Sequence, residues 1–299
     1  MTPDVSAVVV SFNAREELLL CLRSLHAQRE RLLEVFVVDN ASADGSAAAA
    51  RHAFPAARVL ENPANEGFAR ANNRALREAK GRYALLLNSD AELLDGALPA
   101  LARHLDEHPD VAVVGPRTRD PHGDIQVSFG PQLTPWNEWR QRRLVRGVKS
   151  ARGWARREAE RLASAEREPA WISGSCLLAR KDALQAVGFF DEAYFLYEED
   201  ADLCLRLRQA GWRVAFTPKA EVVHRLGSSM AKAKALSRIE YQRSHLLYYA
   251  KHNGRLLTGL LRAFLALSAS LRLARALVAG ATEERRIQRA ILGLALKIV

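Results

Sequence analysis

Tyr83-Ala-Leu-Leu-Leu-Asn-Ser-Asp90 is an apolar run that stops on three polar residues. A run this short, bounded by polar residues, suits a strand buried on both faces of a parallel sheet. The same construction occurs twice upstream. Residues 5–10 (Val-Ser-Ala-Val-Val-Val) run into Ser11-Phe12-Asn13, and residues 35–38 (Val-Phe-Val-Val) run into Asp39-Asn40. Helical spacing fills the gaps. Leu18, Cys21, Leu22 and Leu25 share a face within residues 16–28, with Asn13 as the candidate N-cap. Phe68, Ala71, Ala75, Leu76 and Ala79 share another within residues 67–79.

A short strand at 58–61, a helix at 98–108 and a strand at 111–114 extend the alternation. The pattern predicts an α/β fold with a mostly parallel central sheet flanked by crossover helices. Ligands of such sheets bind beyond the carboxyl ends of the strands. Those ends carry Ser11, Asn13, Asp39, Asn40, Asn88, Ser89 and Asp90. Residues 116–135 are rich in Pro and Gly and read as irregular, and residues 136–167 read as a basic, partly helical insertion. A compact region resumes at Trp171, with a helix over 200–210, a strand over 213–216 and a turn at Pro218 before His224. From Tyr241 the pattern is helical.

The chain of 299 residues carries a net charge of +10, and the location of that charge matters more than its size. From Arg225 onward there are 14 basic and three acidic residues, leaving 30 basic against 31 acidic elsewhere. Such an asymmetric tail points to an anionic partner. Three scattered cysteines without a CxxC favour neither a zinc site nor a disulfide framework. With no secretory signal pattern at the N-terminus, they predict a reduced, cytoplasmic compartment.

Several segments carry candidate chemistry, and each has a plain structural reading beside it. Asp39 could accept hydrogen bonds from a nucleoside, or the run VVDNASADGS could be a turn and cap. Gly67, in NEGFARANN, would let backbone approach a ligand at a helix N-terminus, or simply start that helix. Asp90 could hold a divalent cation against a diphosphate, or cap the next segment. Glu198-Glu199-Asp200-Ala201-Asp202 is the densest acidic cluster. Crowded carboxylates raise one another's pKa, which suits a general base. Asp202 is expected to pair with Arg206 one turn on, Glu198 to be solvated or capping, and Asp200 to be the base. His224 could be a second metal ligand, with Arg225, Ser228 and Ser229 near phosphate, or a structural histidine.

In this order the motifs resemble the family 2 glycosyltransferases of the GT-A fold, in particular a rhamnosyltransferase-like branch. The matching runs are VVVSFN (8–13), VVDNASADGS (37–46), NEGFARANNRAL (65–76) and LLLNSDAEL (85–93). WISGSCLLARKDAL (171–184), GFFDEAYFLYEEDADLCLRLRQAGW (188–212) and VVHRLGSS (222–229) follow. The resemblance implies a Rossmann-like GT-A catalytic domain over residues 1–230, with residues 231–299 as a helical extension. It implies an inverting sugar transfer from a nucleotide-sugar, with Asp200 as base and Glu199 beside it as a further catalytic residue. Donor contacts would come from Ser11, Asn13, Asp39, Asn40, Asn65, Gly67, Phe68, Asn73, Asn88, Ser89 and Gly174. Mg²⁺ or Mn²⁺ would sit at Asp90 and His224. The first position of the family's DxD motif is Asn88 here, which leaves one strong carboxylate. The branch implies dTDP-rhamnose as donor, with a UDP-hexose or UDP-galactofuranose as alternatives, and a saccharide or lipid-linked acceptor in cell-surface polysaccharide synthesis. A non-catalytic nucleotide-sugar scaffold is the remaining alternative.

Lys251, Arg255, Arg262, Arg272 and Arg275 fall within about one half of a helical wheel, at about 100° per residue. Leu256, Leu260, Phe264, Leu267 and Leu271 lie mostly on the other half. The arginines interrupt any run near the ~20 apolar residues of a membrane span. The expectation is therefore an amphipathic anchor lying on the inner face of an anionic membrane. Nucleic acid is a poor fit, because the tail lacks interleaved aromatics. The absence of GxGxxG argues against a dehydrogenase, and Ser11-Phe12-Asn13 is no phosphate loop for a nucleotidyltransferase.

Overall fold

A computed structural model of the chain describes residues 3–225 and 234–297. They form two compact units: residues 3–191 with 200–225, and residues 192–199 with 234–297.

The first unit is built on one large sheet. Its strands are β1 (Val5–Ser11), β2 (Leu32–Asp39), β3 (Arg58–Glu61), β4 (Tyr83–Asn88), β5 (Ala91–Leu93), β6 (Val111–Arg119), β7 (Ile125–Gln126), β10 (Cys176–Arg180) and β11 (Arg213–His224). The order is β3-β2-β1-β4-β10-β6-β11-β5, with β7 paired to β6. β8 (Phe129–Gly130) and β9 (Trp171–Ile172) make a separate ribbon. The helices α1 (Arg15–His26), α2 (Ser46–Ala53), α3 (Phe68–Glu78) and α4 (Ala97–Glu107) flank the sheet as the periodicity predicts. Two cores result. Val8, Phe36, Leu86 and Leu177 face one side with Ala71, Ala75 and Leu76 of α3. Val9, Val37 and Leu85 face the other with Leu18, Leu22 and Leu25 of α1 and Leu98 and Leu101 of α4. Burial on both sides is why these strands read as continuous apolar runs.

Three local readings change. Asn13 does not cap α1: it has φ +50, and its Oδ1 accepts the Ala43 N–H at 2.8 Å. The turn expected at Pro218 is an irregularity within β11, where the register to β6 shifts between Thr217 and Glu221. Proline lacks the N–H a ladder needs, so the strand bulges there and continues. Residues 116–135, read as irregular, extend β6 to Arg119 and supply β7 and β8.

The basic insertion forms α5 (Pro135–Lys149) and α6 (Gly153–Ala163), and α7 (Lys181–Ala186) and α8 (Glu199–Gln209) follow. All three cysteines are free and buried.

The second unit contains α9 (Lys234–His252), α10 (Gly254–Val278) and α11 (Thr282–Leu296). Ala269, Ile287 and Ile291 form its small core, and Arg238 grips both oxygens of Glu284 at 2.7 and 2.9 Å. Glu198 belongs to this unit and is not solvated. Its Oε1 lies 2.7 Å from His245 Nδ1, and its side chain is only 10% exposed. Tyr197 and Glu198 both have positive φ, +74 and +63, a costly conformation for side chains of this size. The Tyr197 hydroxyl at Ser237 Oγ (2.6 Å) and the Glu198–His245 pair hold that turn.

Candidate active site

Parallel pairing brings three polar strand ends to one edge. Ser11 is in register with Asp39, and Val10 with Asn88. β10 runs antiparallel between β4 and β6, so its beginning arrives where its neighbours end. Gly174 and Ser175 thereby join the same edge, and Ser175 O accepts the Asn88 N–H at 2.9 Å.

At the end of β2 the two oxygens of Asp39 differ. Oδ2 accepts the Ser42 N–H at 2.9 Å and closes the turn. Oδ1 is buried and has no hydrogen-bond partner among the described residues, and neither does the buried Ser11 Oγ. Buried polar atoms without partners are costly, so these two mark a place that a polar ligand would satisfy. Asn40 is a tie between loops: its Nδ2 donates to Gly67 O (3.0 Å) and its Oδ1 accepts from Asn62 Nδ2 (2.7 Å). Gly67 has φ +82 with extended ψ, a conformation only glycine adopts readily, and its N–H is held by Asn65 Oδ1 at 3.0 Å. Phe68 meets Phe190 edge-on at 5.9 Å. Asn73, expected in the donor pocket, is buried and bonded at both ends of its amide to the backbone of Phe190 (2.9 and 3.0 Å). These bonds tie α3 to residue 190.

Asp200 is the second residue of α8. Its Oδ2 accepts the Gly174 N–H at 2.9 Å. Burial raises its carboxyl above the usual aspartate range, against the pull of the Gly174 and Ala201 N–H groups. Asp202 pairs with Arg206 Nε at 2.7 Å as expected, and that guanidinium also binds the carbonyls of Val187 and Phe189. Asp202 is thus a structural anchor, which leaves Asp200 as the candidate base. Glu199 is buried at the start of α8.

Asp90 and His224 come together, with Oδ1 to Nε2 at 3.1 Å, and Asn88 Nδ2 is 3.4 Å from the same nitrogen. Ser89 is buried between them in sequence. Gln126, which no feature of the sequence singles out, settles the histidine. Its Nε2 donates to His224 O at 2.5 Å, so its Oε1 faces His224 Nδ1 at 3.1 Å. An acceptor opposite Nδ1 requires the proton there, which leaves Nε2 as the nitrogen that faces Asp90. Nε2 can therefore meet Asp90 in two ways, carrying a second proton that binds the carboxylate or sharing a cation with it. One imidazole oriented by a neighbouring amide, plus one carboxylate, is a donor set that fits a divalent ion. Among the described residues no cluster of three or more His, Cys, Asp or Glu offers a fuller cage. An ion whose remaining positions go to water and phosphate oxygens needs none. Residues 226–229, with Ser228 and Ser229, lie outside the described residues.

The chain is similar to known proteins over most of its length. Residues 6–188 match the model of glycosyl transferase family 2. The chain is 33% identical over 275 residues to the N-acetylglucosaminyl-diphospho-decaprenol L-rhamnosyltransferase of Mycobacterium tuberculosis, covering 85% of this chain and 87% of that one. Among solved structures it is similar to the mannosyltransferase PcManGT from Pyrobaculum calidifontis in complex with GDP-Man and Mn²⁺. There the TM-score is 0.58 and the identity 20%, over 99% of this chain and 87% of that one. GalNAc-T7 with UDP, GalNAc and Mn²⁺ aligns with a TM-score of 0.60 at 14% identity, over 90% of this chain and 51% of that one. The fold is GT-A.

Proposed function

The chain belongs to glycosyl transferase family 2, and on that premise we propose that it is an inverting, metal-dependent rhamnosyltransferase. It transfers rhamnose from dTDP-rhamnose to a saccharide or lipid-linked acceptor in cell-surface polysaccharide synthesis. The observation that carries this reading is one bonded path within the first unit. Asp200 Oδ2 takes the Gly174 N–H, the adjoining Ser175 O takes the Asn88 N–H, and the Asn88 amide reaches His224 beside Asp90. A base and a pair of metal-type donors are thus tied to the same strand ends. The choice of rhamnose rests on the mycobacterial relative.

In this reading Asp39 Oδ1 and Ser11 Oγ accept and donate to the nucleoside, with Asn13, Asn65, Gly67 and Phe68 around it. Asn40 and Asn73 hold the surrounding loops. Asp200 takes the proton of the acceptor hydroxyl, aided by its raised pKa. The hydroxyl oxygen attacks the anomeric carbon opposite the diphosphate. That new C–O bond forms as the bond to the diphosphate breaks, which inverts the configuration. A divalent ion held by Asp90 and His224 would offset the charge of the departing diphosphate.

The acceptor reading suits a membrane surface. Leu256, Leu260, Phe264, Leu267 and Leu271 of α10 are between 56% and 76% exposed. Removing each such side chain from water is worth about 1.5–3 kcal/mol, and the basic tail would favour anionic lipid. By length and composition α10 is long and apolar enough to cross a membrane, despite its arginines. Arg262 Nε donates to Ala295 O of α11 at 3.1 Å, a contact that suits a helix lying flat at the inner face.

The test is donor binding and slow hydrolysis across dTDP-rhamnose, UDP-hexoses and UDP-galactofuranose, with Mg²⁺, with Mn²⁺ and with chelator. Metal-dependent release of dTDP supports the proposal. Release of UDP from another sugar would replace rhamnose, and metal-independent turnover would remove the ion from Asp90 and His224.

A further inference from the structure

The basic insertion is an incompletely packed hairpin. Gly147 is the single buried residue of α5, a 15-residue helix. Its partner α6 buries Ala155, Ala159 and Ala163 instead. The hairpin is pinned at its base, where Thr134 caps α5 and Gln141 Nε2 donates to Phe129 O at 3.2 Å. Trp136, Trp139 and Trp154 are left 64%, 52% and 41% exposed. These are three of the five tryptophans of the chain.

The three indoles are ordered with respect to one another. Trp136 and Trp139 stack with centroids 5.1 Å apart and planes 18° from parallel. The Arg143 guanidinium lies 5.7 Å from the Trp139 ring and 5.5 Å from the Trp154 ring, bridging the two helices. Gly147 permits this closeness: a Cβ there would come within 2.5 Å of Ala155 Cβ and 3.1 Å of the Trp154 ring. On a helix of about 100° per residue, Trp136, Trp139, Arg140, Arg143 and Arg146 fall within about 120°. Residues 136–157 carry eight Lys or Arg and one acidic residue, Glu138. Glu138 is already paired with Arg142.

We propose that the α5–α6 hairpin is a second lipid-binding surface, on the catalytic unit itself, that sets its tryptophans at the headgroup level of an anionic membrane. Tryptophan prefers that depth because its ring is apolar while its N–H can remain hydrated. The surrounding arginines supply the charge complement to an anionic surface. A lone patch of this size binds reversibly, and stable attachment takes two signals. A soluble saccharide would use the exposed indole faces but would leave a net charge of +7 over residues 136–157 without a partner.

The test uses the full chain and vesicles of phosphatidylcholine with or without phosphatidylglycerol, with brominated acyl chains as quencher. Indole fluorescence should be quenched on the anionic vesicles. In W136F/W139F/W154F, where only Trp171 and Trp212 report, most of that quenching should disappear. W136A/W139A should bind anionic vesicles about tenfold more weakly with its melting temperature unchanged. Persistent quenching in the triple variant would overturn the proposal, as would unaltered vesicle affinity of W136A/W139A. So would a drop in transfer to a soluble saccharide with no change in vesicle binding, which would assign the indoles to a sugar. The quenching arm needs no turnover, so it stands or falls apart from the rhamnosyltransferase reading.

Discussion

Gln126 and His224 are joined twice, amide nitrogen to backbone carbonyl and amide oxygen to imidazole Nδ1. Two bonds from one planar amide leave the histidine no choice of tautomer, and its Nε2 is turned toward Asp90. Gln126→Leu removes the acceptor and frees the ring. Outer partners of metal-binding histidines are worth about 10- to 100-fold in affinity. Mn²⁺ titration with nucleoside diphosphate present, followed by electron paramagnetic resonance, should show a loss of that size. Equal affinity in wild type and variant would reduce Gln126 to a structural contact.

Asp200→Asn should lower turnover by about 10²–10⁴-fold, the range for loss of a general base, with donor binding retained. Because burial raises the Asp200 pKa, the acid limb of kcat/KM should have its midpoint above the ordinary aspartate value of about 3.9. The stability effect has the opposite sense to that of a salt-bridged carboxylate. A raised folded-state pKa gives stability below the unfolded value and loses it as pH rises through the folded value. The melting temperature of Asp200→Asn relative to wild type should therefore improve between pH 4 and pH 7.

Gly174→Ala would bring a methyl within 3.1 Å of the Phe68 ring and 3.7 Å of Asp200 Cβ. The ring is the part that can move, so the methyl is accommodated by a shift of the donor pocket and of the Asp200 hydrogen bond. The expected result is a fall in kcat/KM of tenfold or more at a cost of about 1–3 kcal/mol in folding. Wild-type kinetics in this variant would mean that Phe68 does not line the donor site.

Asp39→Asn keeps the volume and an oxygen for the Ser42 turn but removes the charge. Hydrogen bonds to a charged group are worth about 1.5–3 kcal/mol. Calorimetric titration with nucleoside diphosphate should accordingly show about 10- to 100-fold weaker binding. Unchanged affinity would return Asp39 to a turn residue only.

In the second unit the Arg238 pair, with Gln288, holds Glu284 down at about 2. A depressed pKa gives stability above the unfolded value that is lost as pH falls through the folded one, here between about 4.5 and about 2. The Glu284 side chain is 34% exposed, so solvent screens the pair. Glu284→Gln should cost no more than about 1 kcal/mol at pH 7 and nothing near pH 2, read by urea unfolding.

The alternating core was legible because each element announces itself through its neighbours in sequence. Val5 to Val10 and Val35 to Val38 are continuous apolar strands, and the faces of α1 and α3 repeat at helical spacing. The strand ends Ser11, Asp39 and Asn88 could be put at one edge from parallel pairing alone. Glu198 could not be read correctly: its partner His245 is 47 residues away, and local sequence shows only a carboxylate among carboxylates. The bonds of Asn73 were out of reach for the same reason, since Phe190, which engages both ends of its amide, is 117 positions on.

By itself, then, the sequence determined the class of fold, the alternation of its first strands and helices, and the residue types gathered at the strand ends. Those follow from periodicity and turn chemistry, which act over a few residues. Only the tertiary structure decided that β10 enters antiparallel between β4 and β6, delivering Gly174 to Asp200. It also decided that Gln126 sets the tautomer of His224, and that Asp39 keeps one buried oxygen without a partner. These depend on hydrogen bonds between residues tens of positions apart, whose geometry exists only once the sheet has closed around them.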